Sequence, residues 1–197
     1  MTKLLGRSVI AVVVFTLVFG LAYPLIFTGF AQVAFSNKAN GSLLERNGKV
    51  IGSRLAAQAF TEPQYFHPRP SATTPAYNAG ATTFANLGPT SSDLANAVKQ
   101  RAQAILKLEA PYNPGLTIGD IPVDAVTTSA SGIDPDISPA NARLQTARVA
   151  KVRGLSVDRV QQLISENTHG RWLGIFGEPA VNVLQLNLAL DKETSAS

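Results

Sequence analysis

The stretch SVIAVVVFTLVFGLAYPLIFTGFAQVAFSN, from Ser8 to Asn37, runs for 30 residues without a charged side chain. A bilayer core about 30 Å thick is crossed by roughly 20 helical residues, because each residue rises about 1.5 Å. A helix also satisfies its own backbone groups in hydrocarbon, and membrane helices tolerate an interior proline such as Pro24. The stretch therefore predicts one membrane-spanning helix near Val9–Phe30, within a membrane segment and exit over residues 8–35.

The short flanks predict the orientation of this helix. Lys3 and Arg7 precede it, and no acidic residue offsets them. Basic residues beside a span tend to stay in the cytoplasm, so residues 1–7 are expected inside and residues 36–197 outside. The alternative is a cleaved secretory signal, for which Gly29-Phe30-Ala31 offers small residues, but the apolar run exceeds the roughly 7–15 residues of such signals. Both alternatives export the rest of the chain; the first makes this a single-pass protein of the cell inner membrane.

Composition limits what the exported part can be. The formal net charge is +4, and Lys3 and Arg7 account for +2 of it, which leaves no dense basic patch for nucleic acid. The chain has no cysteine, which excludes disulfides, thiolate metal sites and cysteine catalysis. Hydrophobic residues make up 45% of the chain, enough to fill the core of one ordinary domain.

Periodicity and cap residues predict an α+β domain, a small sheet flanked by helices. The predicted elements are a hairpin turning at Asn47-Gly48, a helix starting at Thr90–Asp93 and closed by Pro111, a strand over Val123–Thr128, a helix from Ser138 to about Val152 ending at Gly154, a helix capped by Ser156, and a strand over Asn182–Leu190.

The sequence has two further polar features. The segment Gln58–Ala72, here called the prolyl loop, contains Pro63, Pro68 and Pro70 and is expected to be extended, with Tyr65 and Phe66 fixing it to the body while Arg69 is presented. Asn141, Gln145 and Arg148 share one stripe of the Ser138 helix, either as an ordinary solvated face or as a partner-facing one.

We find no catalytic constellation and no metal site in the sequence. A glycine-rich phosphate loop ending in Lys-Ser/Thr is absent, and the two histidines, His67 and His169, lack metal-binding spacing. Ser129 or Ser131, Asp134 and His169 occur in the order nucleophile, acid, base, but no Gly-x-Ser-x-Gly elbow presents the serine. Asp134-Pro135-Asp136 is expected to be a turn before the Ser138 helix.

Several blocks in order carry a resemblance to a known family. Besides the N-terminal span, they are YFHPRPSA at 65–72, NLGP at 86–89, PVDAVTTSASGIDP at 122–135, RVA at 148–150, GEP at 177–179 and the stretch from Val181-Asn182-Val183 to Leu190-Asp191. With these blocks the chain resembles the C subunit of bacterial Kdp-type potassium-transporting P-type ATPases. It departs from that family at Thr82–Ala85, where a Ser-Gly-Gly-Ser loop is usual.

The resemblance implies a non-catalytic accessory subunit that assembles or stabilises an ATP-driven potassium import complex. The implied partners are a channel-like potassium-translocating subunit, a P-type ATP-hydrolysing subunit, and a small single-span subunit. ATP would act through the hydrolysing subunit, with a direct ATP contact possible in the family. The expected partner-contact residues are Tyr65, Phe66, Arg69, Ser129, Ser131, Gly132, Asp134, Gln145 and Arg148.

Two other functions stay open at this point. In one, the subunit is a catalytic chaperone that raises the ATP affinity of the hydrolysing subunit. The predicted topology opposes it, because only Met1–Arg7 would face the cytoplasm. In the other, the chain is a free-standing exported enzyme, which would require signal cleavage and a catalytic site.

Overall fold

The computed structural model describes residues 2–195. Met1, at the start of the predicted 1–7 segment, and Ala196 and Ser197, at the end of the predicted 36–197 segment, lie outside the described residues. The chain divides into two compact units, Met1–Ile51 and Gly52–Ser197. The predicted domain start at residue 36 concerns the membrane boundary and stays a prediction, whereas the second compact unit begins at Gly52.

Helix α1 spans Thr2–Ala34 and confirms the predicted N-terminal helix. It is long and apolar enough to cross a bilayer, and none of its side chains is buried. Its middle part, Thr16–Ala22, is π-helical. Pro24 lies two residues further on and has no N–H to donate to the carbonyl of Gly20, a standard cause of such a local change in helix winding.

A short helix and a hairpin follow α1 in the chain. Helix α2 covers Ser36–Ala39, and strands β1, Leu43–Arg46, and β2, Lys49–Ser53, form a two-stranded sheet. Asn47 and Gly48 have φ angles of 55° and 73°, as the two central residues of a tight hairpin turn require. The predicted hairpin is confirmed.

The second unit mixes helices with a small antiparallel sheet, which confirms the predicted α+β class. Its further elements are α3 Ser92–Glu109, a 3₁₀ turn at Ile118–Asp120, α4 Val123–Val126, β3 Asp136–Ile137, α5 Pro139–Arg153, α6 Val157–Glu166, β4 Thr168–His169, β5 Ala180–Asn182 and α7 Val183–Ser195. The sheet order is β3-β5-β4, with Val181 opposite Ile137 on one side and Thr168 on the other.

Three helices begin at serines whose hydroxyl oxygens accept a backbone N–H of the first turn. These N-caps are Ser91, Ser138 and Ser156, as the sequence predicts to within one residue. Helix α5 ends at Gly154 in the left-handed conformation, with φ of 69°, which also confirms the predicted stop. Asp136, expected in a turn, instead pairs in β3 with Asn182.

The predicted strand over Val123–Thr128 is wrong, because Val123–Val126 form the single helical turn α4. A tertiary contact decides this conformation. The Asp124 carboxylate accepts hydrogen bonds from the Ser138 N–H and hydroxyl, both at 2.8 Å. Local β-propensity contains no information about this partner 14 residues away.

The predicted strand over Asn182–Leu190 is also wrong beyond its first residue. Leu184, Leu186, Leu188 and Leu190 do alternate with other residues, but the buried positions include 183, 186, 187 and 190, which is helical spacing. Asn182 ends β5 and caps α7, since its Oδ1 accepts the Gln185 N–H at 3.1 Å. The leucine run fits both periods, and the cap together with the core selects the helix.

The core of the second unit lies between α5, α6, α7 and the sheet. Its buried hydrophobic residues are Phe66, Ile137, Ala142, Val149, Ala150, Val160, Leu163, Ile164, Val181, Val183, Leu186 and Leu190. Phe66 is the only one from the prolyl loop, and it is fully buried. The expectation that Phe66 fixes this loop to the body is therefore confirmed.

We predict that Leu186→Ala destabilises the domain by about 2–5 kcal/mol, because Leu186 is fully buried. Leu188→Ala is the matched control, since Leu188 is only partly buried on the same helix and should cost clearly less. Urea unfolding of the full chain in detergent, followed by far-UV circular dichroism, measures both. An alternating strand would make the two losses similar, and that result would contradict the helix.

Candidate functional site

The side chain of Arg148 on α5 is fully buried and holds the prolyl loop from inside the domain. Its Nε donates to the Glu109 carboxylate at 2.8 Å and its Nη2 to the Gln145 Oε1 at 2.9 Å. Its Nη1 donates to the carbonyls of Pro63 and Tyr65, the latter at 2.9 Å. The planar guanidinium thus joins α3, α5 and the loop at one point.

Two amide side chains bind the loop backbone as a neighbouring strand would. The Gln145 side chain accepts the His67 N–H at 2.8 Å and donates to the His67 carbonyl at 3.1 Å. From α7, Asn187 accepts the Phe66 N–H at 2.9 Å and donates to the Phe66 carbonyl at 3.0 Å. The loop has no regular secondary structure here, yet its buried backbone groups are satisfied by these side chains.

The next turn of the loop is joined to residues 128–134. Arg69 Nη1 donates to the Asp134 carboxylate at 2.8 Å, so Arg69 is paired within the domain instead of being presented. The Ser71 hydroxyl donates to the Gly132 carbonyl at 2.6 Å. Ser129 Oγ accepts the Gly132 N–H at 2.9 Å, and Ser131 Oγ accepts the Ile133 N–H at 3.2 Å.

Gly132 is required at this junction for two reasons. Its φ of 72° lies in the left-handed region. A Cβ there would also come within 2.7 Å of the Thr83 carbonyl and of the Thr73 methyl group. Thr83 belongs to the Thr82–Ala85 segment that departs from the family pattern, so this segment packs directly on the predicted site through its backbone.

A cavity of about 250 Å³ lies between the prolyl loop and helices α3 and α5. Its walls include Phe60, His67, Pro68, Pro70, Tyr77, Arg101, Ala104, Ile105, Leu108, Glu109, Ala125, Asn141, Leu144 and Gln145. Most of this lining is apolar, and several polar members are already engaged: Gln145 with His67, and Arg101 with the Val126 carbonyl at 3.1 Å. The cavity is smaller than the roughly 300–1,000 Å³ typical of ligand pockets.

Burial changes the ionisation of two groups at the cavity. It raises the pKa of the Glu109 carboxyl, an effect that the neighbouring Arg148 opposes. The Glu109 Oε2 has no hydrogen-bond partner among residues 2–195. Burial, and then the positive charge of Arg148, lower the pKa of the His67 imidazole, which therefore favours its neutral form.

The Ser–Asp–His order in the sequence does not become a hydrogen-bonded triad. Asp134 pairs with Arg69, whereas His169 lies 3.2 Å from Asp136. Ser129 is buried and receives a backbone N–H. These contacts hold loops in place, and none joins a nucleophile to a base.

The structure brings the predicted site residues together, but mostly by burying them. Asn141, Gln145 and Arg148 are 3%, 5% and 0% exposed, so their interpretation as a solvated face is wrong. Contact of these residues, or of the other residues predicted at the site, with a partner subunit stays a prediction. Sequence reasoning missed Glu109 and Asn187, although an asparagine within a leucine run is a recognisable sign of a buried polar contact.

The chain is similar to known proteins over nearly its full length. A family model described as KdpC: K+-transporting ATPase, c chain, matches residues 5–192. Three relatives are each named potassium-transporting ATPase KdpC subunit. The one from Koribacter versatilis is 51% identical over 191 residues, covering 97% of this chain and 95% of the relative. The one from Burkholderia orbicola (strain MC0-3) is 49% identical over 197 residues, covering both chains fully. The one from Mycobacterium bovis is 48% identical over 192 residues, covering 98% of this chain and 100% of the relative.

We predict that Arg148→Met destabilises the domain by about 3–5 kcal/mol, because it leaves Glu109 as an unpaired buried carboxyl. Arg143→Met, on the exposed side of the same helix, should change stability by no more than about 0.5 kcal/mol. The double variant Arg148→Met/Glu109→Gln should recover part of the loss. Urea unfolding of the full chain measures all three, and a double variant no more stable than Arg148→Met would contradict the coupling.

We also predict a pH effect at His67. Because the folded domain lowers the pKa of His67, the unfolded chain takes up a proton near pH 6.5 that the folded domain resists. The free energy of unfolding should therefore fall more between about pH 7.5 and about 5.5 in the wild type than in His67→Gln. Glu109 contributes in the opposite direction, but equally in both proteins. Equal losses in the two proteins would contradict the prediction.

Proposed function

Because the chain belongs to the KdpC family of potassium-transporting ATPase c chains, we propose that it is a non-catalytic accessory subunit that completes and stabilises a potassium-importing complex. The subunit takes part in potassium transport by a P-type ATPase. In the proposed mechanism α1 packs against partner helices in the bilayer. The second unit then sits over the ion entrance on the extracytoplasmic side and holds it in one arrangement.

The observation that supports this proposal is that the polar side chains of the candidate site bind other groups of the same domain. The Arg148 guanidinium has four acceptors, Gln145 and Asn187 pair with loop backbone, and Arg69 pairs with Asp134. These groups hold an irregular loop in place against the helices. A fixed surface is what a stabilising subunit needs, since a partner then loses little entropy on ordering it.

The membrane part supports the same proposal. Helix α1 is uncharged from Ser8 to its end at Ala34 and buries none of its side chains within the chain. Its apolar surface suits lipid or the helices of membrane partners. Lys3 and Arg7 favour a cytoplasmic N-terminus, and in the proposed topology the second unit lies outside.

Raising the ATP affinity of the hydrolysing subunit is the alternative function, and it requires a different topology. With the N-terminus inside, the second unit lies across the membrane from cytoplasmic ATP. We therefore propose that ATP acts through the partner ATPase subunit. A location reporter fused at Ser197 separates the two functions, since a cytoplasmic signal would make the ATP-affinity role the leading one.

We predict that a complex assembled with residues 1–51 alone loses most of its potassium-stimulated ATP hydrolysis, because the stabilising unit is missing. A second variant keeps residues 35–197 and replaces α1 with an unrelated apolar span, which should lower co-purification with the partner subunits. Each is compared with the full chain in purified complexes. Full potassium-stimulated activity in an intact complex that lacks residues 52–197 would overturn the proposal.

A further inference from the structure

Between β4 and β5 the chain forms a protruding turn, Trp172–Phe176, here called the apolar knob. Its large side chains are strongly exposed: Trp172 by 69%, Leu173 by 70%, Ile175 by 71% and Phe176 by 56%. Among residues 52–195 this is the densest run of exposed large hydrophobic side chains, four within five consecutive positions. A contiguous exposed apolar patch of this kind marks a binding surface.

The apolar knob has a defined shape. The Trp172 N–H donates to the Phe176 carbonyl at 2.8 Å, and the Phe176 N–H donates back to the Trp172 carbonyl at 3.0 Å. Leu173 and Gly174 both have positive φ, 52° and 77°, which closes the turn tightly. The Trp172 and Phe176 rings also contact each other, with centroids 5.7 Å apart. A surface ordered in this way before binding loses less entropy when it docks.

The base of the apolar knob is equally fixed. Both oxygens of the Glu178 carboxylate accept from Arg171 Nη2 at 2.9 Å, which ties the two ends of the turn together. The strands that lead in and out are paired, with Thr168 opposite Val181, and Val181 is fully buried in the core. The strands on either side of the knob are therefore anchored in the core.

The charges around the apolar knob favour a protein partner over a lipid surface. Segments that lie in a membrane interface combine apolar side chains with an excess of Lys or Arg, which anionic lipids attract. Here Arg171 is neutralised by Glu178, whose side chain is 78% exposed, and Asp136 beside His169 adds a further carboxylate. An apolar centre with a charge-balanced polar rim is instead the usual anatomy of a protein–protein interface.

We propose that the apolar knob inserts into an uncharged apolar pocket on the extracytoplasmic face of another subunit of the potassium-transporting ATPase. Trp172 and Ile175 are the central anchors, and the Arg171–Glu178 pair lies at the polar rim. This inference rests on the proposed accessory function and specifies a contact surface for it. It also differs from the contact set expected from sequence, most of which is buried in the domain.

Site-specific photo-crosslinking in the purified, fully assembled complex tests the partner directly. A photoreactive residue at position 175 should form an adduct with another subunit, identified by mass spectrometry of the linked peptides. A probe at position 55 is the control, because Leu55 is 62% exposed but lies outside the knob. Adducts at position 175 with lipid, or with a second copy of this chain, would overturn the proposal.

A competition experiment measures the contribution of the knob. Wild-type and variant full chains carrying different tags compete for incorporation into the complex. Leu173→Asn with Ile175→Asn should lower the incorporation ratio at least about 30-fold, as loss of a central anchor does. Asparagine tolerates positive φ, so the turn at 173 is retained, and circular dichroism verifies the fold. Leu55→Asn is the matched control and should compete equally with the wild type.

The outcomes separate this inference from the proposed function. If the wild-type chain is itself not retained in an active complex, the accessory function fails. If the wild-type chain is retained and supports potassium-stimulated hydrolysis while the knob variants compete equally with it, only the proposal for the knob fails.

Discussion

The second unit is organised around the burial of one positive charge. Removing the Arg148 guanidinium from water costs several kcal/mol unless acceptors surround it. Those acceptors come from three separate places: Glu109 at the end of α3, Gln145 one turn away on α5, and the Pro63 and Tyr65 carbonyls. Because two of the acceptors are main-chain groups, the charge determines where the prolyl loop must run.

Other contacts follow from that placement. With residues 63–65 held against α5, the backbone of Phe66 comes opposite Asn187 and that of His67 comes opposite Gln145. Phe66 then fills the core, and Arg69 reaches Asp134. Burial of their own side chains lowers the pKa of His67 and raises the pKa of Glu109, and the charge of Arg148 adds to the first shift and opposes the second. An extended loop without regular secondary structure is thus held at several points along its backbone.

Features that depend on neighbouring residues could be predicted from the sequence, whereas those that depend on distant partners could not. The apolar span, the Asn47-Gly48 turn and the serine caps all follow from local chemistry. The inward direction of Arg148 does not, because an arginine on a helix is usually solvated and its carbonyl partners lie more than 80 positions away. The leucines of α7 satisfy two periods at once, and the Asn182 cap together with packing against the core selects the helical one.

The junction between β5 and α7 determines how displacement passes between these two elements. Asn182 is the last strand residue and Val183 the first helical one, so no linker residue separates the two elements. The Asn182 side chain braces this corner by donating to the Arg54 carbonyl and to Asp136, both at 3.0 Å. With no linker, and with the Asn182 side chain bound on both sides of the junction, this corner has little freedom to bend. A displacement of β5 would therefore pass directly to α7 as a tilt of the helix.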